Sequence, residues 1–210
     1  MSQPLQDTWN FKQEVGFWGM NIPLDSTVVS TQDINLWFAN SLIKTLNAFS
    51  NLARAREIVI EPKEQTQKVG EVFIWKENIL YNEYLNDTLQ IIREYPLIIQ
   101  EIEISLDMFV YVRTKKSPNN PVRKWVNNLG EIVIFYSLDE LEQSGIYLNI
   151  DHTLFLQFSK IKEEDNTELF NINQPFLKNA LQSWEKEFVS ITEFDGVGTI
   201  YKYGFRSESK

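Results

Sequence analysis

Thirteen residues of this chain, "EIEISLDMFVYVR" at 101–113, alternate without a break. Ile102, Ile104, Leu106, Met108, Val110 and Val112 fall on one parity, and Glu101, Glu103, Ser105, Asp107, Phe109, Tyr111 and Arg113 on the other. A repeat of two places the first set on one face of a single long β-strand. The opposite face begins acidic and turns aromatic. A sheet with one covered and one wetter face is typically antiparallel. The fold therefore has to supply partner strands on both sides and an apolar layer over one face only.

The rest of the chain supplies both. "STQDINLWFANSLIKTLNAFSNLARA" opens with Ser30 or Thr31 as a cap. It repeats apolar residues at three-and-four spacing from Ile34 to Leu52, which predicts an amphipathic helix. "EIVIEP" and "GEVFIW" read as strands, and "YLNDTLQIIREY" as a short helix halted before Pro96. "GEIVIFYSL" is the expected partner of the long strand, with residues 113–130 as the loop between them. "LDELEQSG" reads as a short acidic helix, "YLNIDHTLFLQFS" as a strand and "GVGTIYKYGF" as a closing strand. "NQPFLKNALQSWEKEF" predicts a second amphipathic helix with Pro175 in its first turn. The expected fold is α+β, a mainly antiparallel sheet with amphipathic helices packed on one face, formed by residues 1–210 as a single globular domain.

Charge narrows the partners. With 29 acidic against 20 basic residues the net charge is -9, and the summed field repels phosphates, so general nucleic-acid binding is not expected. The absence of cysteine removes disulfides, thiolate catalysis and cysteine metal sites. No stretch of about eighteen apolar residues predicts a membrane span, and the first residues lack the pattern of a secretory signal. A soluble cytoplasmic protein is expected.

Catalytic patterns are sparse. His152 is the one histidine, so a two-histidine metal motif is ruled out; in a strand it points away from Asp151. "DGVGTIYKYG" lacks the third glycine of a dinucleotide loop, and Gly196 and Gly198 read as a turn of positive φ. "KEEDNTE" lacks the alternating ligands and glycine of a calcium loop and reads as a solvated turn. Glu101 and Glu103 stand about 7 Å apart along one strand face, a spacing shared by glycosidase carboxylates and by ordinary wet sheets. No enzyme, cofactor or metal is expected.

One segment departs from the acidic background. Arg113, Lys115, Lys116, Arg123 and Lys124 lie in "VRTKKSPNNPVRKW", with no acid between Asp107 and Glu131. Pro118, Asn119, Asn120 and Pro121 are turn formers that push the chain outward. The five cations and Trp125 are the candidate partner-binding residues of a non-enzymatic interaction protein, its partner an acidic protein surface, an anionic ligand or a second copy of the chain. A specialised version is an acidic inhibitor-type protein that masks a basic target. The rival expectation is a binder of an apolar or anionic small molecule in a cup lined by Trp18, Phe109, Tyr111, Phe155 and Phe158. Trp18, flanked by Gly16 and Gly19, also suits a loop that packs over the end of the core.

Overall fold

The computed structural model describes residues 16–22, 30–63, 70–136, 144–159, 164–197 and 200–206. Three helices, α1 (Thr31–Phe49), α2 (Tyr81–Glu94) and α3 (Thr167–Glu187), accompany the strands. These are β1 (Gly16–Asn21), β2 (Ala53–Pro62), β3 (Glu71–Ile74), β4 (Ile99–Thr114), β5 (Ser117–Phe135), β6 (Gly145–Ile150) and β9 (Glu193–Gly196) of the main sheet. Short pairs β7 (Phe158–Ser159) with β8 (Glu164–Asp165), and β10 (Ile200–Tyr201) with β11 (Gly204–Phe205), lie outside it. The main sheet has seven strands in the order β3-β2-β4-β5-β6-β1-β9, every neighbour antiparallel. The fold is α+β, as the alternation of β4 and the amphipathic helices require.

Burial follows the parity of β4. Ile102, Ile104, Leu106, Met108, Val110 and Val112 are buried, and their cross-strand partners Ile58, Ile60, Ile132 and Ile134 join them in the core. α1 crosses β2, β4 and β5 and packs between α2 and α3. The α1–α3 seam is closed by the edge-on contact of Trp184 with Phe49 and by Trp184 Nε1 donating to Thr45 Oγ1 (3.2 Å). Capping starts α1 where the sequence places it: Ser30 Oγ accepts from Asp33 N–H and Asp33 returns the bond to Ser30 N–H, both at 3.1 Å.

Four sequence expectations require correction. The first helix ends at Phe49, not Ala55, because Ala53 and Ala55 are buried while Arg54 and Arg56 are half-exposed, a period of two that belongs to β2. Helix α3 begins at Thr167, so Pro175 sits inside it. Burial of Leu169 and Phe170 in the added turns offsets a proline cost of roughly 3 kcal/mol. The strand expected through His152 stops at Ile150, and His152 instead caps a 3-10 turn at Thr153–Phe155, its Nδ1 accepting from Leu154 N–H (3.0 Å). The closing strand is broken into β9, β10 and β11, and positive φ occurs at Gly204 (114°) while Gly196 lies in β9. Gly198, Glu163 and the "LDELEQ" helix lie outside the described residues.

Candidate functional site

The hairpin of β4 and β5 outlasts its neighbours. Pairing with β2 reaches only to Ala53 opposite Met108, and pairing with β6 only to Ile150 opposite Gly130, so residues 109–126 continue as a two-stranded ribbon. The long loop expected over 113–130 is replaced by strand: Thr114 pairs with Ser117, and only Lys115 and Lys116 make the turn. Pro118–Pro121 forms a bulge opposite Arg113, pinned by Ser117 Oγ donating to the Asn120 carbonyl (2.7 Å). Prolines are tolerated there because this part of β5 is an edge strand. The turn-forming composition was legible, and its place in the hairpin was displaced by a few residues.

One face of the ribbon carries an alternating stack of cations and rings. The Arg54 guanidinium lies between the Trp75 and Trp125 rings, 4.1 and 4.0 Å from their centroids. Trp125 leans on Phe109 (5.2 Å), and Arg123 lies between Phe109 (4.4 Å) and Phe176 of α3 (4.1 Å). Arg123 also donates to the Asn51 carbonyl (2.8 Å) and the Phe109 carbonyl (3.3 Å). Beneath the stack, Arg54 meets Asp107, which is fully buried, at 3.4 Å. Burial pushes the Asp107 carboxyl up, against the opposing pull of Arg54 and Arg56. Asp107 also accepts from Asn128 N–H (3.4 Å), where Asn128 takes φ 54° in the bulge that separates ribbon from sheet.

The predicted partner-binding residues therefore divide. Arg123 and Trp125 build the stack, and Arg113 pairs with Glu168 of α3 at 2.7 Å, so these three tie the ribbon to the rest of the protein. Lys115 and Lys116 stand at the tip and Lys124 on β5. The predicted ligand-lining residues divide too. Trp18, in β1 rather than a loop, and Phe155 are fully buried core residues, Trp18 donating to the Tyr201 carbonyl (3.0 Å). Phe109 and Tyr111 are half-buried on the ribbon, and the side chain of Phe158 lies outside the described residues. The four described rings do not form one cup, because two fill the core and two face the stack.

A further surface assembled by the fold is the face of the sheet opposite α1. Among the described residues no helix lies over it, as the half-exposed parity of β2, β4, β5 and β6 records. Its centre is acidic: Glu57 and Glu61 on β2, Glu101 and Glu103 on β4, and Glu131 on β5 share one face through the pairs Glu61–Glu101, Glu57–Ser105 and Ser105–Glu131. Like charges opposite one another destabilise a sheet. Glu101 records the cost: burial among its neighbours, a hydrogen bond with Glu103 and the charges of Glu103, Glu61 and Glu131 push its carboxyl up to about 7. The charges acting on it are all negative. Beside this belt Phe135, Tyr147 and Phe17 stack in turn (4.8 and 5.0 Å), with Tyr147 across its partner Gly19, where a Cβ would meet the ring at 2.7 Å.

The acidic pair was visible in the sequence; Glu57, Glu61 and Glu131 join it only through strand order and register. Among the described residues no group of three or more His, Asp or Glu is placed to hold a metal ion, and no helix is long and apolar enough to cross a membrane. No protein-family model, curated protein or solved structure compared with the chain matches it.

Proposed function

We propose that the protein is a non-catalytic binding protein that receives a basic protein surface on the face of its sheet that no described helix covers. The observation that carries this reading is the carboxylate belt, five glutamates on three adjacent strands with a raised Glu101 at its centre. A chain pays for such a belt in self-repulsion, and an arriving cation relieves it. The neighbouring Phe17–Tyr147–Phe135 stack supplies apolar contact, and aromatic anchors beside complementary charge are the usual composition of a binding hot spot. The ribbon, held by Arg113, Arg123 and Trp125, continues β4 and β5 beyond one end of this face.

Titration with a short arginine-rich peptide, followed by calorimetry, tests the reading. Binding is expected at low ionic strength, weakening as salt screens the belt. The double change Glu101→Lys, Glu103→Lys is expected to lower affinity by about 100-fold or more, since like-charge juxtaposition costs several kcal/mol. Equal affinity for the reversed protein would sink the proposal.

The raised Glu101 gives a second expectation with a definite sign. Its folded value of about 7 lies above the ordinary carboxylate range, so the folded state holds the extra proton below pH 7. A cationic partner favours the ionised form and expels that proton. Affinity is expected to rise as pH increases through about 7, with proton release visible as a buffer-dependent heat. Glu101→Gln should flatten the profile. In the free protein the same group removes stability as pH rises from the ordinary carboxylate range through 7, so Glu101→Gln should be the more stable at pH 8.

A further inference from the structure

The sheet ends on one side at β3, a four-residue edge strand. Trp75 N–H donates to the Arg56 carbonyl (2.9 Å), so the odd-numbered residues of β3 address β2. Backbone groups alternate in direction along a strand, which turns the N–H and C=O of Val72 and Ile74 outward. Among the described residues no strand lies beyond them. Natural edges are commonly protected by charged or proline residues, yet Val72 and Ile74 are valine and isoleucine, 48% and 50% exposed.

Behind this edge the chain leaves a groove. It measures about 390 Å³ and is lined by Val72, Phe73 and Ile74 of β3, by Ile79, and by Tyr84 and Ile91 of α2. Its wall is rigid where it meets the strand, because Tyr84 Oη donates to the Phe73 carbonyl (3.0 Å). Leu80, 70% exposed, extends the apolar surface at the start of α2. The charged residues of the lining are Asp87 and Lys76, and the surroundings add acid: Glu83 stands one helical turn before Asp87, and Glu71 opens β3.

We propose that β3 and α2 together form a docking groove for an extended segment of a partner protein, apolar at alternate positions and flanked by lysine or arginine. The segment adds to β3 as a further strand through the backbone groups of Val72 and Ile74. Alternate side chains enter the groove toward Phe73, Tyr84 and Ile91, and its flanking cations meet Glu71, Glu83 and Asp87. This is strand addition, in which main-chain hydrogen bonds give affinity and pockets for every second side chain give specificity. Charge selects the occupant. A second copy would bring a net charge of -9 and the same acidic surroundings to the contact, whereas a lysine-flanked strand neutralises them.

Fluorescence anisotropy with the full chain and a labelled peptide of alternating valine and threonine, lysine at each end, decides the matter. The wild type is expected to bind it and to bind a same-charge peptide of serine and glycine at least about tenfold more weakly. Ile74→Pro removes an outward donor while leaving the β2 pairing intact, and should weaken binding by roughly tenfold. Ile91→Lys tests the groove without touching the strand backbone and should do the same, with an unchanged circular dichroism spectrum. Glu101→Gln, on the sheet face, should leave this affinity unaltered, which separates the groove from the acidic belt. No binding, wild-type affinity in both groove variants, or equal binding of the serine–glycine peptide overturns the proposal. A concentration-dependent dimer abolished by Ile74→Pro overturns it in favour of a second copy on the same edge.

Discussion

Replacing Arg54 by alanine should lower the stability of the protein by about 3–5 kcal/mol, the cost of leaving a buried charge without its partner. Asp107 is fully buried, and Arg54 is the cation that reaches its carboxylate, at 3.4 Å. For a chain of this size a loss of that order lowers the melting temperature by roughly 6–20 °C. Packing adds to it, since the guanidinium is also the plate between Trp75 and Trp125. The pH dependence identifies the mechanism. Burial already raises the Asp107 carboxyl in the folded protein, and removing Arg54 raises it further. An acid whose folded value exceeds its unfolded one costs stability as pH rises between the two. The deficit of Arg54→Ala should therefore shrink as the solution is acidified and Asp107 takes up a proton. Adding Asp107→Asn should recover part of the loss at neutral pH. A deficit independent of pH, with no recovery in the double variant, would assign the whole effect to lost stacking.

That Arg54 was hidden in the sequence has a physical cause. "NLARARE" follows a strong helical repeat, and alanine and arginine are both good helix formers, so propensity carried the expected helix past its end. The signal against it was local: Ala53 and Ala55 alternate with Arg54 and Arg56, the period of a strand. β4 was legible because its alternation is long and most of its apolar residues are β-branched, leaving one register that buries them all. Pro118 and Pro121 misled in a different way. Their turn chemistry was real, but a hairpin tip needs only two residues, and Lys115 and Lys116 were enough. The acidic belt lay beyond any reading of one segment. Glu57, Glu61, Glu101, Glu103 and Glu131 come from three strands, and only register places them on one face. Local elements follow from local periodicity, whereas a surface built across strands requires the pairing to be known.

Asn173 shows the same limit at a single residue, and its replacement is the second large effect expected. It lies on α3, fully buried, where a polar side chain looks out of place among Phe170, Leu177 and Leu181. Its Oδ1 accepts from Tyr111 N–H (2.8 Å) and its Nδ2 donates to the Tyr111 carbonyl (2.9 Å). β2 has ended by this point, so the amide stands in for the missing strand and closes the edge of the ribbon. Asn173→Ala strands a backbone donor and a backbone acceptor, each costing about 1–3 kcal/mol when buried, so a loss of about 2–6 kcal/mol is expected. Asn173→Asp should be worse at neutral pH, because it retains the acceptor, loses the donor and sets a carboxylate against the Tyr111 carbonyl. Its protonated form regains a donor, so the aspartate variant alone should recover stability on acidification. Hydrogen exchange at the Tyr111 amide locates the effect: slow in the wild type, fast in Asn173→Ala, with the β4 amides paired to β2 little changed. If Asn173→Asp matched Asn173→Ala at every pH, the amide would be filling space and not replacing a strand. If the pattern holds, α3 fixes the ribbon by imitating sheet, and the stack of Arg54, Trp125, Phe109 and Arg123 rests on an edge that one side chain completes.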